Sequence, residues 1–76
     1  MLEIQKYEYL RKELKKARLE AKMLQSDLAK SLGKPQSFVS KVESGERSLD
    51  LIEFLNYSKA LRLNSIKWLK KIFDKL

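Results

Sequence analysis

The sequence predicts an all-α fold of five short helices. Three observations carry that expectation. Apolar residues recur at the helical period, no segment alternates with period two over a strand's length, and 76 residues contain only two Gly and one Pro. There is no repeat, low-complexity tract or linker, so residues 1–76 read as a single domain.

At 100° per residue, Tyr7, Leu10, Leu14, Ala17 and Ala21 fall within about 80° of one another, which predicts a first helix over residues 5–21. Arg18 projects beside that apolar stripe, where a cation needs an acidic partner. A second helix spans 25–32, with Leu28, Ala29 and Leu32 inward, and Gly33 ends it. Pro35 suits the first turn of a third helix over 36–43, where its missing N–H costs nothing. That helix buries Phe38, Val39 and Val42 and turns Gln36, Ser37, Ser40, Lys41 and Ser44 outward, and Gly45 closes it.

Asp50 with Glu53 three residues on has the form of a capping box and opens a fourth helix running to about Leu61. Leu51, Phe54, Leu55, Tyr57 and Leu61 form its apolar sector. Asn64 caps a fifth, amphipathic helix over about 65–75. Ile66, Trp68, Leu69, Ile72, Phe73 and Leu76 occupy one side of it, and Lys67, Lys70, Lys71, Asp74 and Lys75 the other.

Composition narrows the function. Without Cys or His the chain has no thiolate nucleophile, imidazole base or usual zinc or haem ligand set, so neither an enzyme nor a bound cofactor or metal is expected. No apolar run approaches the roughly 18 residues that cross a bilayer, and MLEIQKYEYL lacks the basic start and apolar middle of a signal peptide. A cytoplasmic protein is expected. Its net charge of +7 favours anionic partners.

The informative segment is QSDLAKSLGKPQSFVSKVES, residues 25–44: two short helices joined by a tight Gly-containing turn. Such a unit places its second helix in a DNA major groove. Ala29 is small where the helices approach, and the outer face of the second helix carries neither an acid nor a bulky apolar group. A groove about 12 Å wide admits such a face and meets it with base-edge donors and acceptors.

From LRKELKKAR through LQSDLAKSLGKPQSFVSKVESGERSLD to LIEFLNYSKAL, about two thirds of the chain, the sequence resembles the lambda-repressor/Cro-like (XRE-type) helix-turn-helix DNA-binding proteins. The resemblance implies a five-helix lambda-repressor-like DNA-binding domain. It implies that Gln25 contacts a phosphate and braces Gln36, which reads a base, and that Arg18 pairs with Glu43 to tie the first helix to the third. Leu24 departs from the pattern, standing where Ser or Thr usually caps the second helix. Lys34 also departs, replacing an apolar turn residue and becoming a candidate phosphate contact.

The expected base contacts are therefore Gln36, Ser37, Ser40 and Lys41, and the expected phosphate contacts are Gln25, Lys34, Ser44 and Arg47. The plainer alternative is a solvated helix face with scattered surface cations. Residues 23–48 carry only +1 whereas 62–76 carry +4, so part of the general attraction to DNA comes from outside the motif.

The fifth helix could pack wholly on its own core, lie on a membrane, or enter a partner's groove. Homodimerisation through Ile66, Trp68, Leu69, Ile72 and Phe73 is the favoured expectation, because that sector is wider than a chain of this size needs. No membrane association is expected. The resulting expectation is a transcriptional regulator, a repressor in the simplest case, binding double-stranded DNA at a palindromic operator as a homodimer. The alternatives are the antitoxin of a toxin–antitoxin pair, which would also bind a protein toxin, a controller protein of a restriction–modification system, and a helix-turn-helix scaffold that only binds proteins.

Overall fold

The computed structural model describes residues 3–76 as five helices with connections of three to six residues: α1 (Glu3–Glu20), α2 (Gln25–Leu32), α3 (Gln36–Ser44), α4 (Leu51–Ala60) and α5 (Ser65–Lys75). No strand occurs among the described residues. Among the same residues no helix is long and apolar enough to cross a membrane.

Each boundary has a local cause. The Asp50 carboxylate accepts from the Glu53 amide at 2.7 Å, and the Asp50 amide donates to Glu53 Oε1 at 3.0 Å, so both halves of a capping box start α4. Asn64 Oδ1 accepts from the Lys67 amide at 3.1 Å and starts α5. At α2 only half a box exists. The Leu24 amide donates to Asp27 Oδ2 at 2.8 Å, but the Leu24 side chain has no acceptor to return the bond. Leu24 is exposed, so Leu24→Ser loses little packing and supplies the missing acceptor. We expect a gain of about 1 kcal/mol, read as a higher urea midpoint at unchanged slope.

The helix ends share one device. Met23 N, Lys34 N and Leu63 N each donate to the carbonyl five residues back, at 3.2, 2.9 and 2.9 Å, closing α1, α2 and α4 around a left-handed residue. In α2 that residue is Gly33 (φ 66°), but in α1 and α4 it is Lys22 (φ 58°) and Arg62 (φ 59°). Gly45 (φ 86°) ends α3, and a side chain there would also meet Arg11: its Cβ would lie 2.6 Å from Arg11 Nε.

The core joins four helices and the residue ending α4: Leu14 of α1, Leu28 and Ala29 of α2, Val39 and Val42 of α3, Phe54 and Tyr57 of α4, and Leu61. α5 seats on this body through Trp68, whose ring lies 5.7 Å from that of Phe54 at a 32° tilt, through buried Ile72, and through a 2.8 Å bond between the Ser65 and Ser58 hydroxyls.

Several sequence expectations need correction. α1 is already helical at Glu3, the first described residue, and ends at Glu20, and its inward stripe starts only at Leu10, since Tyr7 and Ala21 are exposed. Pro35 is the N-cap of α3 rather than a residue of its first turn. Leu51, at the first position of α4, lies on the surface. Tyr7 and Leu51 line one open apolar groove with Ile4, Leu69 and Leu76, between the start of α1, the α3–α4 loop and α5. Ile72 is only 3% exposed and Trp68 packs on Phe54, so both are used within the chain's own core. The outward apolar residues of α5 are Ile66, Leu69, Phe73 and, just beyond it, Leu76.

Candidate nucleic-acid interface

The α2–turn–α3 unit exists because Gly33 supplies the left-handed turn and Pro35, with ψ 157°, leads the chain extended into α3. Leu28 and Ala29 on one side, and Val39 and Val42 on the other, clamp the two helices together. With the apolar side of α3 so fixed, Gln36, Ser37, Ser40, Lys41 and Ser44 are all exposed, and no neighbouring element covers them. The one acid within α3, Glu43, points inward.

Glu43 anchors a network that reaches the surface. Arg18 grips its carboxylate with two bonds, Nε to Oε2 at 2.6 Å and a terminal nitrogen to Oε1 at 3.0 Å, and donates a third to the Met23 carbonyl at 2.7 Å. The side chains of Arg18 and Glu43 are only 7% and 5% exposed. Gln25 Nε2 donates to Glu43 Oε1 at 3.0 Å, and Gln36 Nε2 donates to Gln25 Oε1 at 3.4 Å. A continuous path thus runs from a buried ion pair to the first residue of α3, fixing the Gln25 amide and orienting Gln36. Burial alone would push the Glu43 carboxyl up. The bonds from Arg18 and Gln25, with the positive charges of Arg18 and Lys15, outweigh it and hold that carboxyl below its usual range.

The remaining sequence candidates lie around this face. Ser44 Oγ donates to the Lys41 carbonyl at 3.1 Å. Lys34 Nζ stands 5.6 Å from the centre of the Phe38 ring, and the Arg47 guanidinium 4.6 Å from the same ring. Both cations therefore border α3, and the half-buried ring gives each a favourable electrostatic seat.

A sequence model of the helix-turn-helix family matches residues 14–69. The chain belongs to the XRE-type helix-turn-helix family. An XRE-family like protein from Pseudomonas syringae pv. tomato str. DC3000 is 39% identical and superposes with a TM-score of 0.89 over 93% of this chain and 87% of that one. The wild-type restriction-modification controller protein C.Esp1396I is 25% identical, with a TM-score of 0.76 over 91% of this chain and 87% of its own. No curated protein matches the sequence.

Within this XRE-type domain, sequence reasoning missed two groups. The Tyr57 hydroxyl is buried without a hydrogen-bond partner beside the Arg18–Glu43 pair, and burial, then the Glu43 charge, raise its pKa. Its place on the apolar side of α4 signalled burial but not this neighbour. The second is Glu53, read only as a capping residue, whose carboxylate also takes two bonds from Arg47 at 3.0 and 2.7 Å. A separation of six residues across a loop leaves no sequence pattern for that pair.

Proposed function

We propose that this DNA-binding regulator recognises a specific double-stranded sequence, inserting α3 into the major groove of each half-site, and acts as a homodimer on a roughly palindromic operator. Gln36, Ser37, Ser40 and Lys41 contact base edges; Gln25, Lys34, Ser44 and Arg47 contact the backbone and set the register. The observation that carries this reading is the open, acid-free polar face of α3, with Gln36 oriented through Gln25 from the buried ion pair. Repression by occupying the operator is the simplest outcome of such binding. Ile66, Leu69 and Phe73 supply the outward apolar surface for pairing two copies.

A second reading, a controller protein of a restriction–modification system, uses the same face and is favoured by the likeness to C.Esp1396I. Selection from a random duplex pool tests the common core of both. The expected winner is a two-fold symmetric motif whose half-site centres lie about 34 Å apart, one helical turn. A pool with no enriched sequence would remove sequence-specific readout, and an asymmetric single site would remove the dimer.

A further inference from the structure

Arg47, although its side chain is 40% exposed, is held by several contacts. Its guanidinium rests over Phe38, one terminal nitrogen donates to the Ser48 carbonyl at 3.0 Å and to Glu53 Oε1 at 3.0 Å, and the other donates to Glu53 Oε2 at 2.7 Å. Three of its five N–H groups are thereby engaged inside the protein. Glu53 is itself fixed, accepting from the Asp50 amide as the reciprocal partner of the α4 cap. The Arg47 bonds, then the Asp50 amide, lower the Glu53 carboxyl to about 2, so it stays charged under any ordinary binding condition. Lys34, on the same ring, forms no ion pair with a carboxylate among the described residues, though its charge also reaches Glu53.

A cation that reaches DNA with its counter-charge still attached neutralises less phosphate and releases fewer condensed ions than a free one. We propose that Glu53 is a positioning residue that restrains Arg47 and thereby limits both the DNA affinity of the domain and its dependence on salt. This rests on the DNA-binding reading above. It divides the two cations at the edge of α3 into unequal partners: Lys34 feels the Glu53 charge only through space, and Arg47 contributes a hydrogen-bonded, partly neutralised fork. The restraint also lowers binding to arbitrary DNA, since backbone attraction is blind to sequence.

Glu53→Gln separates this role from capping, because Gln keeps a carbonyl oxygen for the Asp50 amide while losing the charge. The experiment measures binding to a scrambled duplex across a salt series. Glu53→Gln is expected to bind more tightly at low salt and to steepen the slope of log K against log salt by about 0.9, one added phosphate contact. Between about 50 and 200 mM salt its affinity then falls about 3-fold more than that of the wild type. Arg47→Ala changes the wild-type slope by less than half that amount and, added to Glu53→Gln, removes the whole gain. Arg47→Lys keeps the charge but loses the fork, so it steepens the slope with the α4 cap untouched and serves if Glu53→Gln unfolds. An unchanged or shallower slope in folded Glu53→Gln and Arg47→Lys overturns the proposal, leaving Glu53 as a cap alone. Failure of the wild type to bind any duplex instead overturns the DNA-binding reading, so the two failures are distinct.

Discussion

Glu43→Ala is expected to destabilise the domain by about 3–5 kcal/mol, enough to unfold much of a domain whose total stability falls in the usual range of about 5–15 kcal/mol. The cause is what remains behind. Arg18 keeps one bond, to the Met23 carbonyl, and loses the two to Glu43, leaving a buried guanidinium without its counter-charge. Urea unfolding followed by circular dichroism would show a lower midpoint at similar slope. Replacing both partners, as Arg18→Met with Glu43→Leu, should recover most of the loss, because well-packed apolar pairs often equal a buried ion pair. If Glu43→Ala unfolds at the wild-type midpoint, the pair is not holding α1 to α3.

The same pair makes stability fall in acid. The folded Glu43 carboxyl lies below its ordinary value near 4.5, so the unfolded chain takes up a proton first. Its contribution is complete above that ordinary value and is lost as pH drops through the lowered folded one. Glu53, lowered to about 2, acts in the same direction over the interval from 4.5 to 2. Glu43→Ala should therefore flatten the acid limb of the stability curve as well as lower the plateau.

Gln36→Ala carries the other large effect, on binding instead of folding. A glutamine amide that both donates and accepts at one base contributes about 1–3 kcal/mol of discrimination. The variant should lose about that much on the selected site and lose preference at a single base pair, while its urea midpoint stays within about 0.5 kcal/mol of the wild type, as for other exposed substitutions. The fold should be spared because Gln36 is exposed and its side chain bonds only at 3.4 Å, to the Gln25 amide oxygen. An equal loss on every duplex would place Gln36 on the backbone.

The helix-turn-helix was readable because Gly33 and Pro35 punctuate it and Val39 and Val42 mark the buried side of α3. The ends of α1 and α4 were harder to place, since each turns through a left-handed Lys22 or Arg62 where no glycine signals a stop. Ile72 stood among five interface candidates because period alone cannot distinguish the side of α5 facing its own core from the side facing solvent. Only the docking of Trp68 on Phe54 sets that rotation. The Arg18–Glu43 pairing rested on family resemblance, whereas the Gln25–Glu43 bond that links it to the surface needed three helices in position. Arg47 reads in the sequence as a phosphate contact, and its restraint stays hidden there because it comes from a side chain across the α3–α4 loop.

The central claim is that Gln36 reads a base edge from the major groove, and a modified duplex tests it without altering the protein's fold. Replacing one purine of the selected site at a time by its 7-deaza analogue removes a single major-groove acceptor and leaves every phosphate in place. At one position per half-site the wild type should lose affinity by about 10-fold, the lower part of the range for one bidentate contact, and Gln36→Ala should be indifferent to that same change. Equal sensitivity of both proteins at every position, or no sensitivity anywhere, would contradict the account.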